Sequence, residues 1–190
     1  MLFRSLSLMY SREAFRLCVR AFPEVMLNPD DLEARGRMLL GAAFAGLAIE
    51  NSMLGAAHAL ANPLTAQNGV VHGEAVGLML PHVVRFNGSD PATCAAYAEL
   101  AIAAGIASAG DTPEHALQTL LARLDSLLHL ANLPRALSDC GVASTAIPAL
   151  AAAAAQQWTA SFNPRPVQAK ELAALYRAAL QPSVLEAVPA

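Results

Sequence analysis

Apolar and polar positions along the 190-residue chain recur with a helical period almost throughout. Apolar residues return every three or four positions, a spacing that places them on one face of an α-helix. No segment alternates over a convincing length as a β-strand does, and no internal repeat occurs. The pattern therefore predicts an all-α fold. The predicted helices cover residues 7–21, 31–61, 72–86, 91–104, 112–131, 144–160 and 168–180.

Prolines and capping residues set the predicted helix boundaries. Pro23 is expected to end the first helix because proline lacks a backbone N–H. Asp30 or Asp31 is expected to cap the second helix, which should end near Ala61 because Pro63 forbids its continuation. This long helix contains four glycines, each of which costs up to about 1 kcal/mol relative to alanine. Its surroundings, rather than its intrinsic propensity, must therefore hold it.

Candidate chemistry is concentrated in residues 46–87, which hold three of the five histidines. His58 is expected in the last turn of one helix and His72 at the start of the next, with a turn at Asn68 and Gly69 between them. Both imidazole rings could then face one point, where a shared metal ion would satisfy their nitrogens. Alternatively, each histidine is an ordinary core or surface residue, since this spacing is not a tight metal signature.

The remaining histidines are assigned no chemistry. The helix from His72 is expected to be interrupted by Pro81, with His82 packed or hydrogen-bonded beside the kink. His115 and His129 fall at helix-surface positions.

Composition limits the classes of function. Apolar residues make up 55% and charged residues 14% of the chain, whereas about 45–50% and about 25% are usual. Either another domain or subunit hides part of the surface, or an alanine-rich bias inflates the apolar count. The net charge of −3 argues against a nucleic-acid partner. No run of apolar residues is long enough for a membrane span, and no convincing signal peptide is present.

Three widely spaced cysteines bear on the compartment of the protein. Cys18, Cys94 and Cys140 are odd in number and form no C-x-x-C motif. This usage favours free buried thiols in a reducing, cytoplasmic environment over a disulfide framework.

The run from Gly55 to Asn87, GAAHALANPLTAQNGVVHGEAVGLMLPHVVRFN, resembles the second signature of the iron-containing (group III) alcohol dehydrogenases. That signature has the form G-x-x-H-x-x-x-H-P-L-G, followed by P-H-G and then L-P-H-V-x-R-F/Y-N. Residues 31–46 and 162–180 resemble the family's helix before the site and its final helix. The resemblance implies a single helical domain of the dehydroquinate synthase-like type over residues 1–180, followed by a loose tail over residues 181–190.

The resemblance also implies an activity, namely hydride transfer between an alcohol and NAD or NADP. His58 and His72 correspond to metal histidines of the family, whose metal is usually Fe²⁺ and in some members Zn²⁺. Asn62 stands where many members have a further histidine near the nicotinamide, so it is assigned to the cofactor side of the site. It cannot titrate near neutrality, and any proton relay there would need water or a cofactor hydroxyl. No catalytic residue is assigned.

Two motifs of the family are missing from the sequence. The G-G-G-S loop that holds the dinucleotide and the D-x-x-x-H motif that supplies two further metal ligands do not occur. Glu74 is a poor substitute, because two residues after His72 it points away from it on a helix. The sequence is thus expected to be the carboxy-terminal helical domain alone, inactive by itself, cut by a fragmentary gene model, a frameshift or a late start codon.

The partners expected from the resemblance are a small alcohol or aldehyde, the missing amino-terminal α/β domain, and a second copy in a homodimer. Two alternatives stay open. The chain could be a non-catalytic helical interaction module derived from such an enzyme, or the same half of a maleylacetate-type reductase.

Overall fold

The computed structural model describes residues 2–181, with side chains from residue 5 onward. Within this range the chain forms eight α-helices and three short 3₁₀ helices and contains no strand, which confirms the all-α fold class. The helices are α1 (Leu2–Leu27), α2 (Leu32–Glu50), α3 (Ala56–Asn68), α4 (His72–Asn87), α5 (Pro91–Ala103), α6 (Pro113–Leu130), α7 (Ile147–Ala155) and α8 (Ala169–Ala178). The 3₁₀ helices are Leu137–Cys140, Ser144–Ala146 and Trp158–Phe162.

The helices fall into two compact units. The first unit comprises the residues up to Leu54 together with Asn87–Ala131, and the second comprises Gly55–Phe86 together with the residues from Asn132 onward. The expectation of one helical domain over residues 1–180 stays a prediction. The loose tail expected over residues 181–190 lies outside the described residues except for Gln181.

The first unit is built on the pairing of α1 with α2 and of α5 with α6. At Gly41 the two helices of the first pair approach so closely that an added Cβ would lie 2.5 Å from the Cys18 Sγ. Asp31 caps α2, as predicted, by accepting from the N–H groups of Glu33 and Ala34. Thr112 likewise caps α6, accepting from the His115 N–H.

The second unit surrounds α3 with α4, α7, α8 and the 3₁₀ helix Trp158–Phe162. Its core consists of fully buried aliphatic side chains from all four α-helices, and the hydroxyl of the buried Tyr176 donates to the Leu60 carbonyl at 2.6 Å. Burial of this kind contributes about 1.5–3 kcal/mol per large aliphatic side chain. The largest buried aliphatic residues of this core include Leu60, Leu64, Leu78, Met79, Ile147, Leu150 and Leu172.

The predicted end of the first helix at Pro23 is wrong, since α1 continues through this residue to Leu27. Proline removes the N–H that would bond the carbonyl four residues earlier. That carbonyl belongs to Val19, and it accepts instead from Nη2 of Arg123 at 2.9 Å. A side chain from α6 thus compensates for the missing donor, and the helix tolerates the proline.

The predicted long helix from Asp31 to Ala61 is also wrong, because the chain breaks between α2 and α3. The amide of Asn51 donates to the Leu47 carbonyl and the hydroxyl of Ser52 donates to the Ala48 carbonyl, so both side chains satisfy groups at the end of α2. Such side chains compete with helix continuation. Asn51 is therefore a helix-end residue.

Two further prolines lie inside helices rather than at their ends. Pro63 lies within α3, which ends five residues later at Asn68, and Pro81 lies within α4, which is not interrupted. The predicted turn at Asn68 and Gly69 is confirmed: Gly69 has a φ of 69°, in the left-handed region that glycine adopts without strain, and closes α3. The predicted helix 144–160 is shorter than expected, since only Ile147–Ala155 is α-helical.

Candidate metal centre

The site is built where the amino-terminal ends of α3 and α4 meet in the second unit. His58 is the third residue of α3 and His72 is the first residue of α4. The placement of His58 in the last turn of its helix was therefore wrong, whereas His72 begins its helix as predicted. Only three residues, 69–71, connect the end of α3 to the start of α4.

The structure brings the two imidazole rings together. Their centroids lie 5.5 Å apart and their planes are inclined by 51°. A ring bound to zinc or iron through a nitrogen at about 2.0–2.1 Å has its centroid roughly 3 Å from the ion, so two such rings on one tetrahedral ion lie roughly 5 Å apart. The observed separation is close to that value.

The electrostatics of the pair suit metal binding. His58 is half-buried, while His72 is exposed at the surface of its unit. Burial, and after it the nearby charge of His72, lower the pKa of His58 below its usual range. The neutral imidazole is thereby favoured near neutral pH, and a neutral imidazole is the form that can donate a lone pair to a metal.

The ligand set is incomplete within the chain that the structure describes. Among residues 5–181 no group of three or more histidine, cysteine, aspartate or glutamate side chains is arranged to hold a metal ion. Catalytic sites of this kind have three protein ligands, and two neutral imidazoles bring no compensating charge. The residues present fit two positions of a metal site and do not fit a whole one.

Asn62, assigned to the cofactor side of the site, lies four residues after His58 and therefore on the same face of α3. Its Nδ2 donates to the Oε1 of Gln157 at 2.8 Å, so the orientation of the amide is set by a residue that precedes the 3₁₀ helix Trp158–Phe162. Because Nδ2 makes this bond, the Asn62 carbonyl oxygen is directed to the other side of the amide. Sequence reasoning missed Gln157, and nothing in its local pattern marks it.

A second contact with the same 3₁₀ helix fixes the start of α3. The Oδ1 of Asn163 accepts from the N–H of Ala56, the first residue of the helix, at 3.3 Å. Gly55 allows this approach, because a Cβ there would lie 3.2 Å from that oxygen. Asn163 also donates to the carbonyl of Arg165 within the N-P-R-P turn. Nothing local in the sequence indicates that Asn163 caps a helix more than a hundred residues earlier.

Two aromatic side chains are exposed beside these contacts. Trp158 and Phe162 lie edge to face with ring centroids 5.7 Å apart, and they are 63% and 53% exposed. Thr159 and Ala160 between them are buried. The segment that orients Asn62 and caps α3 therefore turns its small residues inward and its aromatic residues outward.

The other histidines behave as expected. His82 is 7% exposed, and burial lowers its pKa to about 4, with a smaller effect from Arg85. It lies within α4, away from the helix start that carries His72. His115 and His129 are exposed on α6 in the first unit. Cys18, Cys94 and Cys140 are free, as predicted, but only Cys94 is buried and the other two are partly exposed.

Comparison with known proteins agrees with the fold. The family model described as Fe-containing alcohol dehydrogenase family, C-terminal, matches residues 6–180. The chain therefore belongs to the iron-containing alcohol dehydrogenase family, as a carboxy-terminal helical part, and the resemblance stated from its sequence is confirmed.

Individual relatives match over most of this chain and less than half of their own length. The chain is 32% identical over 168 residues to the 1,3-propanediol dehydrogenase of Klebsiella pneumoniae, covering 88% of this chain and 43% of that enzyme. It is 34% identical over 149 residues to the lactaldehyde reductase of Escherichia coli K12, covering 78% and 38%. The crystal structure of a 1,3-propanediol oxidoreductase superposes with a TM-score of 0.85 at 31% identity, covering 90% and 44%.

Within residues 2–181, no helix has both the length and the apolar character needed to cross a membrane.

Proposed function

We propose that this chain is the metal-ligand half of an NAD(P)-linked alcohol dehydrogenase, in which His58 and His72 are two of the ligands of a catalytic Fe²⁺ or Zn²⁺. The observation that carries the proposal is the 5.5 Å separation of the two rings in a chain of the iron-containing alcohol dehydrogenase family. The related enzymes are oxidoreductases of small alcohols and aldehydes by name. A small alcohol or aldehyde is accordingly the substrate class we propose.

The remaining ligands are proposed to come from polypeptide corresponding to the part of the relatives that this chain does not span. A metal bound there would supply Lewis-acid polarisation of the alcohol oxygen. The contribution of this chain is to present two imidazoles on the rigid ends of two helices and to keep His58 neutral through burial. The isolated 190-residue chain is expected to bind a divalent metal weakly and to show no NAD-dependent alcohol oxidation.

The dinucleotide, NAD or NADP, is proposed to bind mainly to the amino-terminal domain that relatives possess. Asn62 would face it from this chain, with its amide held by Gln157. Because the amide cannot change protonation near neutral pH, Asn62 can orient a cofactor group by hydrogen bonding and cannot relay a proton. We further propose a cytoplasmic enzyme that can form a homodimer.

A metal titration tests the ligand assignment. Trp158 is the single tryptophan of the chain, and its neighbour Gln157 contacts Asn62, one helical turn from His58. Titration with Co²⁺ or Ni²⁺ should quench its fluorescence in a saturable manner, and calorimetry with Zn²⁺ should show weak binding. His58→Ala and His72→Ala should each reduce the affinity by about tenfold or more.

The matched control is His115→Ala, which removes an exposed histidine from the first unit and should leave the titration unchanged. Loss of binding in this control, or equal binding in the His58 and His72 variants, would refute the ligand assignment. Tight stoichiometric binding by the isolated chain that depends on His58 would instead show that the site is complete, contrary to the proposal.

The genomic DNA upstream of the codon for Met1 distinguishes the hypothesis that this chain is part of an alcohol dehydrogenase from the alternative that it is a non-catalytic helical module. Codons for G-G-G-S and D-x-x-x-H in any frame would support the enzyme, and unrelated sequence would favour the module. A full-length protein that includes the upstream segment should then oxidise small alcohols. Activity with unsaturated keto acids in its place would favour a maleylacetate-type reductase.

A further inference from the structure

The first unit contains a cleft that the proposed enzyme does not use. It has a volume of about 430 Å³ and lies where α1, the end of α5 and α6 meet. Two arginines from different helices, Arg20 on α1 and Arg123 on α6, line it. No acidic residue is among its lining residues, which are Val19, Arg20, Ala104, Gly105, Ile106, Thr119, Ala122, Arg123 and Ser126.

Each guanidinium is anchored by a backbone carbonyl. The Nε of Arg20 donates to the carbonyl of Ala104 at 3.0 Å, at the end of α5, and the Nη2 of Arg123 donates to that of Val19 at 2.9 Å. These bonds fix both side chains without neutralising them. Since a guanidinium carries several N–H donors in a planar fork, each retains donors that its carbonyl partner does not use.

The charge of these two arginines is uncompensated, in contrast to that of other arginines in the same unit. Arg12, Arg16 and Arg37 form ion pairs with glutamates. Within residues 5–181, neither Arg20 nor Arg123 has a carboxylate within ion-pair distance. Glu13 experiences the charge of Arg20 only as a minor influence on its own pKa, after the effects of Arg16 and of burial.

The backbone keeps the cleft open beside Arg20. Gly105 has a φ of 73°, and a Cβ at this position would lie 2.7 Å from the Nη2 of Arg20. The side chains of Thr119 and Ser126 already donate to carbonyls of their own helix, so they offer oxygen lone pairs and not hydrogens. The guanidinium N–H groups are therefore the donors that a ligand would meet.

We propose that this cleft binds a phosphate group, held between the guanidiniums of Arg20 and Arg123. Two cationic forks delivered from two helices match a compact dianion with several acceptor oxygens better than a single carboxylate. The volume is ample for a phosphate monoester, so the ligand is either inorganic phosphate or the phosphate end of a small metabolite. The site is independent of the histidine pair in the second unit.

Nuclear magnetic resonance tests this proposal with the full chain at constant ionic strength, chloride being exchanged for inorganic phosphate. Saturable shifts are expected for the Gly105 amide and for the Nε–H resonances of both arginines. Arg20→Gln should weaken phosphate binding by about tenfold or more, as expected for loss of one charged, bidentate partner. Arg16→Gln removes the same charge one turn away on α1, where Glu13 pairs with it, and should bind phosphate as the unmodified chain does.

A neutral substitution of Arg123 would remove the bond to the Val19 carbonyl and could disturb the fold. Arg123→Lys is therefore the variant to use, because lysine keeps a positively charged donor but lacks the planar guanidinium. It should stay folded and bind phosphate more weakly. Glycerol 2-phosphate is the second probe: tighter binding than that of inorganic phosphate assigns the site to an organic ester, and equal or weaker binding assigns it to the free ion. Acetate binding as strong as phosphate binding, shifts that are not saturable, or an unchanged phosphate affinity in Arg20→Gln would overturn the proposal.

Discussion

Helix α3 of the second unit and helix α2 of the first unit differ in the exposure of their large aliphatic side chains. In the second unit, Leu60 on α3 is 0% exposed and is surrounded by α7, α8 and the 3₁₀ helix Trp158–Phe162. In the first unit, Leu39 on α2 is 74% exposed, and Leu32, Leu40 and Leu47 on the same helix are also exposed. The helix that carries His58 is thus held on several sides, whereas α2 is held mainly by α1. The candidate metal centre thus includes a helix that its neighbours enclose, as preorganisation of two ligands requires.

Truncation of one leucine in each unit gives the largest expected contrast. Leu60→Ala should lower the free energy of unfolding by about 4 kcal/mol, because it removes buried methyl groups and leaves a cavity. Leu39→Ala should change it by no more than about 0.5 kcal/mol, since its side chain is already in water. Urea unfolding followed by circular dichroism measures both. Similar losses in the two variants would contradict the difference in packing.

The buried His82 gives the stability of the second unit a pH dependence. The pKa of His82 is lowered to about 4 from an ordinary value of 6.5. Between these values the unfolded chain binds a proton that the folded chain does not, so stability falls as the pH falls through this window. The expected loss is about 3 kcal/mol and is complete below pH 4.

Unfolding experiments at several pH values check this expectation. His82→Gln should flatten the pH dependence between pH 6.5 and 4, whatever its effect on stability at pH 7. His115→Gln, at an exposed position on α6, should leave the pH dependence as it is. An unchanged slope in the His82 variant would show that this residue is not the titrating group.

Helices α1 and α3 each contain a proline, and in each a side chain from elsewhere in the same unit donates to a backbone carbonyl. In the first unit, Arg123 donates to the Val19 carbonyl that Pro23 leaves without its usual donor. In the second unit, the Tyr176 hydroxyl donates to the Leu60 carbonyl in the turn before Pro63. Each bond joins the helix to a residue far away in sequence.

Removal of these donors should cost an intermediate amount of stability. Arg123→Met should destabilise the protein by about 2 kcal/mol and Tyr176→Phe by about 1 kcal/mol, because a charged donor contributes more than a neutral one and a buried carbonyl loses its partner. Thermal unfolding measures both effects. No loss in Arg123→Met would mean that the Val19 carbonyl finds another donor and that α1 tolerates Pro23 without tertiary support.

These bonds also explain which parts of the structure could be predicted. Local signals predicted the capping of α2 by Asp31, the turn at Gly69 and the start of α4 at His72, because the stabilising group in each case lies within a few residues. The predicted helix end near Ala61 was wrong, since α3 continues to Asn68. The rule that proline ends a helix failed at Pro23 because the compensating donor, Arg123, lies a hundred residues away and has no local signature. Periodicity alone also could not place the break after α2, since apolar and small residues continue across it.

The residues of the candidate site likewise fall into those that the sequence could predict and those that it could not. The pairing of His58 and His72 followed from the short connection between two helices and from the family resemblance, and the structure places the rings together. Gln157 and Asn163 could not be found, since they reach α3 from a different part of the chain. Their roles depend on tertiary packing and not on a motif.

The smallest expected losses of stability come from removing two helix caps, one local and one distant in sequence. Asp31 caps α2 from the residue before the helix, and Asn163 caps α3 from a separate turn. Asp31→Ala and Asn163→Ala should each destabilise the protein by about 1 kcal/mol, the usual cost of losing a cap. Their consequences for the candidate metal centre should differ. His58 is the third residue of α3, so fraying of the first turn moves its ring relative to that of His72.

Zinc calorimetry separates the two variants. Asn163→Ala should lower the zinc affinity of the isolated chain by about tenfold, as loss of a group that orients a metal ligand commonly does, whereas Asp31→Ala should leave it unchanged. Asn163→Asp retains an acceptor for the Ala56 N–H and should restore most of the affinity. If both alanine variants bind zinc as the original chain does, the first turn of α3 is held by the core alone. The distant cap would then serve the fold and not the histidine pair.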